Sequence, residues 1–251
     1  MTPHLASEIR LFEEAGKTAS RTLDHIAAHI RAGMTTNEIN QIVHDFILTN
    51  GATPAPLGYH GFPKSVCTSP NSIICHGVPN QTLLKDGDVV NVDVTVIKHG
   101  YYGDTSRTFF IGNVSEGAKK IVEVAKEAMI KGIEEIAPGK TVGDIGFAIE
   151  KFVTRQGYYV VEELGGHGIG KKFHDEPFVP SFGKRGKGAK LIPWRAITVE
   201  PMINETAAPI KEIEIPGSTI MIYETGDGAL SAQWEHTVLI TDTGYQILTV
   251  S

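Results

Sequence analysis

Four acidic residues stand where acids are disfavoured. Asp93 lies in Asn91-Val92-Asp93-Val94-Thr95-Val96-Ile97, a valine-rich alternating run that reads as a β-strand. Asp104 follows eleven residues later, beyond Lys98-His99-Gly100. Glu200 closes the strand-like Ile197-Thr198-Val199-Glu200, and Glu235 sits in Gln233-Trp234-Glu235-His236-Thr237-Val238. His167 is embedded in Gly165-Gly166-His167-Gly168-Ile169-Gly170, where glycines let backbone approach a bound group closely. If His99-Gly100 is a two-residue turn, Lys98 opposes Tyr101 and Asp104 opposes Thr95, which shares a sheet face with Asp93. The two carboxylates are then diagonal neighbours, about 7–8 Å apart at Cα. Like charges that close repel unless a proton or a cation lies between them. Any one of these acids alone reads as an edge-strand carboxylate facing water. Four of them with a glycine-flanked histidine read as a site for two divalent cations.

Such a ligand set is mostly oxygen with one imidazole, which suits Mn, Fe(II) or Co at least as well as Zn. Two cations about 3.5–4 Å apart can share a water and lower its pKa towards neutrality, the chemistry of amide and phosphate-ester hydrolysis. Nothing in the chain cradles phosphate, and no G-x-S-x-G elbow is present. His76 in Cys75-His76-Gly77-Val78-Pro79 and His174 in Phe173-His174-Asp175-Glu176-Pro177 stand beside turn residues, suited to donating or accepting at a substrate amide. Cys67 and Cys75 form no metal motif and read as buried small hydrophobes. The basic run Lys184-Arg185-Gly186-Lys187-Gly188-Ala189-Lys190 reads as a solvated loop, with an RNA contact as the sharper alternative.

The elements that must position these residues come in two copies. Residues 32–51 and 138–157 match at a constant offset of 106: Gly33 with Gly139, Thr35 with Thr141, Ile39 with Ile145, Phe46 with Phe152, Gly51 with Gly157. Each copy has apolar residues at helical spacing, a threonine N-cap with an acid three residues on, and a glycine stop. A second helix precedes each, roughly Glu8–Arg31 and Ala118–Ile136, and strand-like runs follow each. Two helices then strands, twice over, predict an α+β fold with related halves around one mostly antiparallel sheet.

Composition is that of an ordinary globular chain. The 251 residues suffice for one large core, and two cysteines exclude a disulfide framework and favour a reducing compartment. The net charge of −6 argues against a general DNA or RNA binder, and no apolar run is long enough to span a bilayer. The N-terminal acids Glu8, Glu13 and Glu14 do not suit a secretory signal.

Taken together, LGYHGFPKSVCTS, ICHGVP, GDVVNVDV, GYYGDTSRTF, GGHGIG, KFHDEP, ITVEP and SAQWEHT resemble the type I methionine aminopeptidases, in family order across residues 8–249. The resemblance implies the "pita-bread" (creatinase/aminopeptidase) fold with a pseudo-two-fold axis and a curved sheet. It implies a single metallo-aminopeptidase domain over 1–251, with halves of about 8–115 and 116–249. It implies removal of N-terminal methionine from nascent chains ahead of a small second residue, by a water or hydroxide bridging two cations (Co, Mn, Fe or Zn). The metal ligands would be Asp93, Asp104, His167, Glu200 and Glu235, with Asp104 and Glu235 bridging and Glu200 moving the proton. His76 and His174 would act on the substrate, and Tyr59, Cys67, Phe173 and Trp234 would line the methionine pocket. A cytoplasmic monomer in transient contact with the ribosome is the implied setting. The lack of a zinc-finger extension suggests the short bacterial or organellar form. Two departures from the family pattern are Pro193-Trp194-Arg195, where Pro-Gly-Met is usual, and a segment Ile213–Asp227 that offers Met221 or Tyr223 instead of the usual pocket aromatic. The alternatives are a proline-directed aminopeptidase or dipeptidase of the same fold and a non-catalytic binding module.

Overall fold

A computed structural model describes residues 3–251, with side chains from Leu5 onward, so the first two residues of the expected 1–251 unit lie outside it. Helix α1 (Pro3–Ala27) packs against α2 (Thr36–Thr49), and short strands follow: β1 (Thr53–Pro54), β2 (Cys67–Pro70) and β3 (Ile73–Cys75). The long hairpin β4 (Val89–Lys98) and β5 (Tyr101–Phe110) completes the first half. The second half repeats the order with α3 (Glu116–Ile133) and α4 (Val142–Arg155). Strands β6 (Tyr159–Val160), β7 (Gly165–Ile169), β8 (Asp175–Pro180), β9 (Ala196–Val199) and β10 (Met202–Asn204) come next. A second hairpin, β11 (Ile210–Glu214) and β12 (Met221–Thr225), precedes β13 (Ser231–Gln233), β14 (His236–Ile240) and β15 (Tyr245–Ile247). No helix among the described residues is long and apolar enough to cross a membrane.

The duplicated helices form for the reasons their sequences give. Thr35 and Thr141 each cap their helix in a reciprocal box with Glu38 and Asp144, satisfying N-terminal N–H groups. Gly51 and Gly157, just past the ends, take the left-handed φ of +66° and +83° that lets a chain leave a helix. The first helix of each pair is shifted from its expected span: α1 stops at Ala27 and α3 at Ile133. Past Ala27 the chain closes a turn in which His29 N–H donates to Ile26 O at 2.9 Å.

Among the described residues the strands divide into four sheets, and every pairing is antiparallel. In the first half, α1 and α2 cover a core of Ile39, Val43, Ile47, Val90, Val92, Val94 and Val96. In the second, α3 and α4 cover Ile197, Val199, Ile203 and Val238. The helices thus seal one face of each half and leave the other face, where the strand acids point, to form a cavity. Trp194, in the unusual Pro193-Trp194-Arg195 turn, adopts φ +67°, a conformation easy for glycine and costing about 1 kcal/mol or more for other residues. Its N–H donates to Ile240 O at 2.7 Å, and its ring packs on the cluster around Phe12 and Leu239.

Candidate metal centre

The turn His99-Gly100 has φ of +53° and +79°, as a two-residue hairpin turn of this hand requires. It sets Lys98 against Tyr101 and Thr95 against Asp104, the register expected from the sequence. Asp93 and Asp104 therefore share one face. Asp93 is also opposite Cys67 on β2, which brings that thiol to the same wall. The Thr95 hydroxyl donates to Asp104 Oδ1 at 2.7 Å in a buried setting.

The second half delivers its acids through hydrogen bonds across the junction. Asp104 N–H donates to Thr237 Oγ1 at 3.2 Å, and that hydroxyl donates back to Asp104 O at 2.7 Å. Thr105 Oγ1 donates to Glu235 O at 2.7 Å, and Glu235 N–H donates to Ser106 O at 3.2 Å. Thr108 Oγ1 and Asn91 Nδ2 both donate to Gln233 O, at 2.7 and 3.0 Å. This stitch fixes Asp104 and Glu235 side by side although they lie in different halves.

His167 and Glu200 are joined through one hydroxyl. Thr198 Oγ1 accepts the His167 N–H at 2.9 Å and donates to Glu200 Oε1 at 2.7 Å. His167 Nε2 then lies 3.6 Å from Glu200 Oε1 and 3.7 Å from Asp104 Oδ2. Asp104, His167 and Glu235 each present a ligand atom within 4.8 Å of one another. Asp93 and Glu200 line the same cavity just outside that closest set.

The glycines around His167 serve a different purpose from the expected close approach to a bound group. A Cβ on Gly166 would collide with Thr198 O, and one on Gly168 with Glu176 O. Both glycines let β7 lie tightly between β9 and β8, which is what holds the His167 ring over the acids.

Among the described residues no lysine or arginine lines the cavity, so no cationic side chain there neutralises its acids. Burial raises all four carboxyls: Asp93 to about 7, and Asp104, Glu200 and Glu235 well above the carboxylate range. Repulsion from Asp93 adds to the rise at Asp104, and repulsion from Asp104 adds at Glu200 and Glu235. Asp93 Oδ1 is buried without a hydrogen-bond partner among the described residues. Burial also lowers His167 to about 4, so its ring is neutral and can offer a lone pair at neutral pH.

Of the other expected residues, Tyr59, Cys67, His76, Phe173 and His174 all line the cavity, whose volume is about 170 Å³. Trp234 does not. Gln233 and Glu235 face the cavity, so side-chain alternation turns Trp234 to the opposite face. There it packs on the second-half core, with Lys126 Nζ and Arg107 Cζ 5.0 and 5.8 Å from its ring centre. Neither Met221 nor Tyr223 supplies the pocket wall either; Ile220 does, with Phe62 beneath it. Met221 contributes its carbonyl, which lies 3.0 Å from His76 Nδ1. Thr198 and Gln233 escaped the sequence reading. Thr198 and Gln233 each stand two residues before a site acid, which is the period-2 signal that marks a shared strand face.

Comparison with known proteins agrees with this geometry. The model of metallopeptidase family M24 matches residues 10–242. A methionine aminopeptidase of Rickettsia prowazekii is 45% identical over 248 residues, covering 99% of this chain and 95% of the relative. Methionine aminopeptidase A of Synechocystis is 47% identical, covering 97% of this chain and 95% of the relative. Among solved structures, the Rickettsia prowazekii methionine aminopeptidase superposes with a TM-score of 0.94 at 44% identity, covering 98% of each chain. An Xaa-Pro dipeptidase from Bacillus anthracis superposes less well, at 0.77 and 26% identity, with 98% of this chain matched to 61% of that one. The chain belongs to metallopeptidase family M24, on the side of the methionine aminopeptidases rather than of the proline-directed members.

Proposed function

We propose that this protein removes methionine from the N-termini of nascent polypeptides ahead of a small second residue, using two divalent cations. The observation that carries the reading is the set of four buried carboxylates without a cationic side chain, one of them with an orphaned oxygen. Such a set is costly unless cations compensate it, and oxygen donors with one neutral imidazole suit Mn, Fe(II), Co or Zn. Asp93, Asp104, His167, Glu200 and Glu235 would hold the ions, with Asp104 and Glu235 between them. Cations bound there would supply an acidified water and polarise the peptide carbonyl.

The chain's own residues do the rest. Glu200 takes the proton that the attacking water gives up and returns it to the nitrogen as the C–N bond breaks. His76 and His174 contact the peptide unit, and Tyr59, Phe62, Cys67, Phe173 and Ile220 form an apolar wall suited to a thioether side chain. The same proposal has the two halves acting as one domain, a cytoplasmic monomer, and transient contact with the ribosome from which the substrates emerge. Turnover of Met-Ala, Met-Glu and Leu-Ala peptides with Mn(II) or Co(II) tests the reading, alongside elemental analysis. Met-Ala should be cleaved fastest. Equal rates on all three would sink it, and a preference for Xaa-Pro would point to the dipeptidase branch. Asp104→Asn should abolish turnover and lower metal content at both positions.

A further inference from the structure

Two of the three histidines that line the cavity, His76 and His174, are held by different partners, and the partners differ in what they can do in a hydrogen bond. His76 Nδ1 lies 3.0 Å from the carbonyl oxygen of Met221. A carbonyl only accepts, so His76 carries its proton on Nδ1 and its Nε2 is a bare acceptor. Burial lowers the basicity of His76, which keeps the ring neutral. His174 Nδ1 lies 2.8 Å from the hydroxyl of Tyr59. A hydroxyl can donate or accept, but a phenol (pKa about 10) is a far better proton donor than a neutral imidazole N–H. The favoured arrangement has Tyr59 donating to Nδ1, with the His174 proton on Nε2.

We propose that Tyr59 is a positioning residue for the reaction: its hydroxyl fixes His174 as the Nε2–H tautomer, opposite to the tautomer that the Met221 carbonyl imposes on His76. One cavity then presents a donor nitrogen and an acceptor nitrogen. A peptide unit offers the complementary pair, a carbonyl oxygen and an N–H. His174 can therefore donate to the carbonyl oxygen, where negative charge develops during attack, while His76 accepts from the amide N–H. A wrong tautomer at His174 would set a lone pair against that oxygen.

The surroundings of Tyr59 suit such a task. Its ring lies 4.8 Å from Phe173 and 4.4 Å from His60, and Phe173 stacks on the His174 ring at 4.3 Å and 16°. The loop that carries Tyr59 is tied to the tip of the β11–β12 hairpin: Thr219 N–H and Ser218 Oγ donate to His60 O at 3.0 and 2.9 Å. The same hairpin supplies the Met221 carbonyl that holds His76. One hairpin therefore supports both tautomers.

This inference rests on the peptidase reading above, and its test separates the two. Nitrogen-15 spectra of histidine-labelled, metal-free protein report which ring nitrogen bears the proton. The wild type should show a bare Nδ1 and protonated Nε2 for His174, and the reverse for His76. Tyr59→Phe keeps the ring and removes only the hydroxyl. It should leave the His76 pattern unchanged and convert His174 to a mixture of tautomers. For Met-Ala peptides kcat should fall about tenfold or more with KM changed less than about twofold, as expected when a transition-state contact is weakened. A wild-type His174 with its proton on Nδ1 overturns the proposal, and that spectrum decides even if the variant is unstable. An unchanged His174 pattern and unchanged kcat in Tyr59→Phe also overturn it. If the spectra match expectation but the wild type cleaves no N-terminal methionine, the peptidase reading fails and the tautomer assignment stands.

Discussion

Thr95 and Asp104 face each other across the β4–β5 hairpin, and the Thr95 hydroxyl donates to Asp104 Oδ1 at 2.7 Å. The bond aims a carboxylate that reaches towards both His167 and Glu235. Replacing Thr95 by valine keeps the shape and removes the donor. Partners that orient a ligand are worth about 10–100-fold in metal affinity. Calorimetric titration of Mn(II) into Thr95→Val should therefore show affinity weakened by at least about tenfold. Unchanged binding of both ions would mean that Asp104 needs no such orientation.

The buried acids set a pH dependence for the metal-free protein. Their folded pKa values lie above the unfolded ones, so the folded state holds more protons and loses stability as pH rises through the window between them. The histidines work in the opposite sense: His167 and His236 at about 4 and His174 at about 3 favour the folded state as pH rises towards about 6.5. About one pH unit higher the histidines are neutral in both states and the raised acids set the trend. The melting temperature in chelator should fall as pH rises above about 7.5, and Mn(II) should raise it most at the alkaline end. A flat profile in chelator would contradict the burial of these carboxyls without a cationic partner.

Gly168 admits no side chain. A Cβ there would collide with the backbone of Glu176 across the β7–β8 ladder. Gly168→Ala should destabilise by about 3 kcal/mol or more, a drop in melting temperature of about 6–12 °C for a domain of this size. Because the shift falls on the strand that carries His167, metal affinity should fall with it. Thermal melts with and without Mn(II) measure both, and a variant as stable as the wild type would show that β7 has room for a Cβ at this position.

Trp234 and Ile220 make opposite predictions. Trp234→Phe alters a ring on the core face and should leave kcat and KM for Met-Ala peptides within about twofold. Ile220→Ala opens the cavity wall and should raise KM by about three- to tenfold, the scale of a few lost apolar contacts. Steady-state kinetics on the two variants decide which residue borders the substrate.

The hairpin carrying Asp93 and Asp104 was legible because a two-residue turn leaves only one register, and alternation then fixes which residues share a face. The capped helix repeats were legible for a similar reason, since Thr35 and Thr141 act within four residues of themselves. The same alternation, applied from Glu235, would have turned Trp234 away and picked out Gln233. What local pattern could not reveal is the cavity wall. Phe62, Ile220 and the Met221 carbonyl meet only because a hairpin tip from the second half folds over a loop from the first. The glycines beside His167 were read correctly as close approach but assigned to the wrong neighbour, because a sequence does not say which strand lies against it.

The stitch between Thr105 and Glu235 spans 130 residues. Contacts so distant in sequence are made late, after the chain between them has been ordered. A growing chain therefore carries a finished Asp93–Asp104 hairpin long before it has Glu235 to set beside it. If Glu235 helps to hold an ion as proposed, tight ion binding has to wait for the last strands: a chain truncated before residue 231 should hold no tightly bound ion.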